Sequence, residues 1–120
     1  MVILLEIFDI DVDSFDEVVK GSDVTAVLEF WIRSCSFCQK FKPVYEKLPG
    51  IYGGRVKFFR MNMMKSIENL RLAEGMGVEQ TPTTKVFCGG REVGEIVGFK
   101  QLDETVKDLN TILDSKSCRS

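Results

Sequence analysis

The chain has 120 residues, 44% hydrophobic and 28% charged, which suits one soluble domain with an ordinary core and is too short for two. Its net charge of −2, with acids and bases interspersed, forms no basic patch, so neither nucleic acid nor a membrane surface is favoured as a partner. No stretch approaches the roughly 20 apolar residues that span a bilayer, and MVILLEIFDIDVD lacks the basic start and small-residue cleavage site of a secretory signal, so a cytoplasmic location is expected.

Val2 to Ile7 is apolar and β-branched and predicts a strand. Ser14-Phe15-Asp16-Glu17 has the form of a capping box, predicting a helix with Ser14 at its start and Lys20-Gly21 at its close. Val24 to Ile32 is nearly continuously apolar, the pattern of a central strand covered on both faces. A second helix is expected from the CSFC segment to about Leu48, bent at Pro43, whose ring removes a hydrogen bond and clashes one turn back. Val56 to Met61 reads as a strand, and Ile67 to Glu74 as a short helix stopped by Gly75. Thr83 to Cys88 and Glu92 to Val97 flank Gly89-Gly90, a hairpin turn. Leu102, Val106, Leu109 and Leu113 share one face of a final helix. Residues 114–120 read as a frayed tail, leaving 1–113 as the domain. The order β-α-β-α-β-α-β-β-α predicts parallel pairing early and an antiparallel hairpin late. The fold class is therefore α/β, a three-layer α/β/α sandwich with a mixed central sheet.

Four cysteines are too few for a disulfide scaffold, and the chain has no histidine. Cys88 and Cys118 lie thirty residues apart without near partners, a poor spacing for tetrahedral metal, so no metal is expected. Both are expected to be free thiols under reducing conditions, with a regulatory or intermolecular disulfide through either as the alternative. Cys35 and Cys38 form a CxxC directly after the central strand, at a helix start, where a redox centre or a pair of buried structural cysteines would both fit.

In order and spacing the chain resembles the thioredoxin family over nearly its whole length. DVDSFDEVV is similar to the family's first helix, and FWIRSCSFC to its strand, tryptophan and CxxC. Pro43 resembles the helix-kinking proline, Thr81-Pro82-Thr83 the cis-proline loop, and Gly90 and Gly98 the glycines of the hairpin and the following turn. The resemblance implies a thioredoxin-like fold and a thiol-disulfide oxidoreductase that reduces protein disulfides by dithiol-disulfide exchange. Its partners would be disulfide-containing substrate proteins and an upstream reductase such as a thioredoxin reductase; a monomer without cofactor is expected.

The physics of a helix start agrees. Unpaired N–H groups and the positive end of the macrodipole favour thiolate over thiol, which makes Cys35 the expected nucleophile. Cys38, one turn further in, would resolve the mixed disulfide. Glu29 is the one charge in its buried strand, and a buried carboxylate must be paired or protonated. The family carries a buried aspartate here, thought to accept a proton from the second cysteine. Glu29, one methylene longer, is either that relay or a structural partner of Arg60, which stands at the family's buried-lysine position.

Trp31, Ser34, Phe37, Thr81, Pro82 and Gly98 are the expected substrate-binding residues. Trp31 and Phe37 would offer an apolar platform, and an extended peptide would lie against the Thr81 loop. Ser34 stands where an aromatic residue is usual, Ser36-Phe37 where reducing members carry Gly-Pro, and Thr81 where they usually carry isoleucine. A glutaredoxin-like protein, which would need a basic glutathione pocket with Arg33 as its nearest candidate, remains an alternative. So do a disulfide oxidase or isomerase and a docking module with incidental cysteines.

Overall fold

The computed structural model of the chain describes residues 6–115. β1 (Ile7–Asp9) leads into α1 (Val12–Phe15), which continues as wider π-type turns over Asp16–Lys20. There follow β2 (Thr25–Trp31), α2 (Ser36–Tyr52), β3 (Val56–Asn62), α3 (Ile67–Gly75), β4 (Thr83–Cys88), β5 (Arg91–Val97) and α4 (Leu102–Ser115). The five strands lie in the order β1-β3-β2-β4-β5. β3 pairs in parallel with both β1 and β2, whereas β4 is antiparallel to β2 and β5, the mixed sheet expected from the element order.

Alternation along the strands sends side chains to two cores. Ala26, Leu28 and Phe30 of β2 pack with Phe59 and Met61 under Phe15, Val19 and Ala73, on the α1 and α3 side. Val27, Phe58, Val86 and Ile96 face Phe41, Tyr45 and Leu48 of α2 and Leu109 of α4. β2 is thus covered on both faces, and its C-terminal end delivers the chain to the start of α2. Tyr45 fastens α2 to the sheet by donating to the Val27 and Phe59 carbonyls at 3.2 and 2.7 Å.

Several boundaries differ from the expectation. The first helix begins at Val12 rather than after Ser14, which lies inside it, and no side chain of its own segment caps it. Its start is held instead by Asn69 of α3: the side-chain carbonyl accepts from Val12 N at 3.0 Å, and the amide donates to Asp11 Oδ1 at 2.9 Å and Asn62 O at 3.1 Å. α2 continues past Leu48 to Tyr52, where left-handed Gly53 closes it by donating to Pro49 O. α4 takes in Asp114 and Ser115; the rest of the expected tail, like residues 1–5 of the expected first strand, lies outside the described residues. Gly89 and Gly90 turn the hairpin at φ 61° and 81°, and a Cβ on Gly90 would stand 2.5 Å from the Lys20 carbonyl oxygen. No helix among the described residues is long and apolar enough to cross a membrane.

Candidate active site

The chain leaves β2 and starts α2 with Cys35 as the N-cap, in extended conformation. Its sulfur does what a Ser or Asp oxygen does at such a position, accepting the N–H of Cys38 at 3.1 Å. The same Sγ donates to the Thr81 carbonyl at 3.4 Å. Cys35 is half-buried and Cys38 buried, and both are free. Burial pushes the Cys35 thiol up, but hydrogen bonding from Cys38, Thr81 and the backbone of Phe37 outweighs it and holds the thiol below its ordinary 9.0. Burial has the opposite outcome at Cys38, where Cys35 adds to it and the thiol is pushed up to about 11.

The loop opposite Cys35 contains a cis peptide bond between Thr81 and Pro82. Gly98, at φ 87°, donates its N–H to Pro82 O at 2.7 Å, so Thr81, Pro82 and Gly98 come together beside the Cys35 sulfur. Ser34 and Phe37 are exposed at the start of α2; Phe37 is 55% exposed, with the Lys40 ammonium 5.7 Å from its ring centre. The Arg60 guanidinium lies over the Trp31 ring at 4.4 Å, and Trp31 and Arg60 line a cleft of about 290 Å³ with Arg33, Cys38, Gln39 and Lys42.

Glu29, fully buried, is the ion-pair partner of Arg60 from this cleft. The strand register places Asp9, Arg60, Glu29, Thr84 and Ile96 in one row across the sheet. Glu29 Oε1 accepts from Arg60 Nε at 2.9 Å, the structural pair that the sequence offered as one reading. Desolvation nonetheless dominates: burial raises the carboxyl to about 7 against the pull of Arg60, and Asp9 adds to the rise. Among the described residues Oε2 has no hydrogen-bond partner, nor have Trp31 Nε1 and Thr84 Oγ1. Sequence reasoning missed Thr84 and Tyr45. The alternation of TTKVFC against VTAVLEFWI could have found Thr84, because it fixes which β4 residues share a face with Glu29.

Cys88 departs from the expectation of a free thiol: it is disulfide-bonded. Cys118, the fourth cysteine, lies outside the described residues.

Two neighbouring thiols of unequal acidity can hold a substrate sulfur on one and expel it with the other, the chemistry of a thiol-disulfide oxidoreductase. This protein is one. The family model for thioredoxin matches residues 6–111, and the chain belongs to the thioredoxin family. It is 32% identical over 85 residues to thioredoxin 1 of Nostoc sp., covering 71% of this chain and 77% of that one. It is 34% identical to the protein disulfide isomerase-like 2-1 of Oryza sativa over 87% of this chain, which corresponds to 30% of that longer protein. Among solved structures, spinach chloroplast thioredoxin f superposes with a TM-score of 0.80 at 28% identity, covering 93% of this chain and 97% of its own.

Proposed function

We propose that the protein reduces disulfides in substrate proteins, with Cys35 attacking and Cys38 resolving. The observation that carries this division is the asymmetry at the start of α2, an acidified half-buried sulfur beside a buried thiol raised to about 11. The Cys35 thiolate attacks one substrate sulfur; the other leaves as thiolate and takes up a proton. Cys38 then gives up its proton and attacks Cys35 Sγ, expelling the second substrate thiolate, which is protonated in turn. Two electrons pass to the substrate, and the Cys35–Cys38 pair becomes a disulfide. An upstream reductase in a reducing compartment such as the cytoplasm restores the dithiol. In this reading Glu29 accepts the Cys38 proton, its carboxyl near 7 being suited to both taking and releasing one. An extended substrate segment lies along Thr81, Pro82 and Gly98, with Ser34 and Phe37 at its margin and Trp31 behind the thiol pair.

Trapping tests the scheme. Cys38→Ser should retain substrate proteins as mixed disulfides on Cys35, Cys35→Ser should retain almost none, and both should lose insulin reduction. Equal trapping by the two variants would overturn the assignment. The resemblance to an isomerase-like protein favours a second reading in which the disulfide form is the donor. Equilibration with glutathione separates the two, since a potential near the oxidising end of the family range belongs to the second.

A further inference from the structure

We infer that the Thr84 hydroxyl, through one bound water, holds the free oxygen Oε2 of Glu29 in line for the proton leaving Cys38, making Thr84 a positioning residue of the resolving step. The inference rests on Glu29 as the proton acceptor proposed above. Glu29 and Thr84 are directly paired residues on neighbouring strands and share a face, which brings their Cβ atoms to about 5 Å. Both are fully buried, and neither Glu29 Oε2 nor Thr84 Oγ1 has a partner among the described residues. Trp31, two residues further along β2 on the same face, carries the third such atom, Nε1.

A carboxylate oxygen, a hydroxyl and an indole N–H are an acceptor, a dual group and a donor, the set that a buried water satisfies. Packing does not account for the hydroxyl, since valine would fill the same volume on a face otherwise lined by Val27, Val86 and Ile96. Cys38 and Trp31 open onto the same cleft, bordered by Arg60, so the proton has a path outward. In the step itself the Cys38 S–H bond breaks, the proton passes along the water to Oε2, and Glu29 becomes neutral. It then releases the proton to solvent, and no electrons move until the thiolate attacks Cys35.

The groups facing Glu29 are known from each side. Arg60 on β3 and Asp9 beyond it on β1 carry charge. α2 contributes Tyr45, whose hydroxyl is committed to backbone carbonyls. β5 and α4 contribute Ile96 and Leu109, which do not titrate.

The experiment compares Thr84→Val with Thr84→Ser, following the Glu29 carboxyl by NMR and the single-turnover resolution of a Cys35 mixed disulfide across pH. Losing a donor to the ionised form should raise the Glu29 pKa by about one unit in Thr84→Val. The acidic limb of the resolution profile should move by the same amount and the plateau rate should fall, and Thr84→Ser should restore all three. Should the valine perturb folding, Thr84→Ala must give the same displacement. An unmoved Glu29 pKa, in a protein where Glu29→Gln still slows resolution, overturns the role of Thr84 and leaves that of Glu29 standing. A Glu29→Gln profile identical to wild type overturns the acceptor, and the inference with it.

Discussion

Glu29 should lower the stability of the folded protein as pH rises, and replacing it with glutamine should remove that dependence. Burial raises the carboxyl from an ordinary 4.5 to about 7, so between these values the folded protein keeps a proton that the unfolded chain has released. A folded pKa above the unfolded one means that the acid contributes its full stability below about pH 4.5, and that this contribution has gone above about pH 7. The interval of about 2.5 units, at about 1.36 kcal/mol each, amounts to about 3 kcal/mol. The group is fully buried, so solvent screening removes little of this. Urea denaturation of the reduced protein at a series of pH values, wild type against Glu29→Gln, measures it. The wild type should lose about 3 kcal/mol relative to the variant from the acid to the alkaline end, a Tm difference on the order of 10 °C. The comparison cancels every other titrating group and the constant cost of altering the Arg60 partner. Parallel curves for the two proteins would show that Glu29 titrates alike in both states, and the desolvation argument would fail.

Ultraviolet absorbance of thiolate should rise at a pH below the ordinary cysteine value of 9.0, lose that step in Cys35→Ser, and show Cys38 only near 11. Arg60→Met should raise the Glu29 carboxyl above its present value of about 7, because the cation opposes desolvation; a lower value by NMR would contradict the pairing. Asn69→Ala removes the three hydrogen bonds that tie α3 to Asp11 and Val12 at the start of α1 and to Asn62, and should cost about 2–3 kcal/mol in urea denaturation, against well under 1 kcal/mol if Asn69 were a surface residue. Gly90→Ala should cost more than about 2 kcal/mol, since its Cβ meets the Lys20 carbonyl at a positive φ. Gly89→Ala, in open space, should cost about 1 kcal/mol, and equal losses would deny the hairpin contact.

The strands and the thiol pair were legible because their signals are local. VTAVLEFWI announces burial on both faces, and CxxC at its end is placed by chain continuity alone. Pairing of Glu29 with Arg60 was one of two open readings, prompted by the one charge in a buried strand and by Arg60 standing at the family's buried-lysine position. What escaped was decided across the fold. A capping box at Ser14 was a sound local inference, yet Asn69, 57 residues from Val12, supplies the cap and starts the helix earlier. Thr84 gave no signal by composition, because threonine is ordinary in a strand; only the β2–β4 register turns it into the neighbour of a buried acid. A disulfide at Cys88 was only the minor reading, since cysteine spacing in a sequence carries no distance.

The two halves of the site use burial in opposite ways. Cys35 and Cys38 lie one turn apart on the same helix, yet one is acidified and the other raised. What separates them is where the hydrogen-bond donors fall: the first sulfur takes the end-of-helix N–H, and the second has been carried into the core. That leaves Cys38 a poor nucleophile near neutrality unless something removes its proton, and the core that raised its pKa also raised Glu29 to about 7. A carboxyl near 4.5 would be far too weak a base to draw a proton from a thiol near 11. Burial thus narrows the gap between donor and acceptor from the acceptor's side. A catalytic role gives a physical reason to keep a carboxyl that costs the fold about 3 kcal/mol in the middle of its central strand.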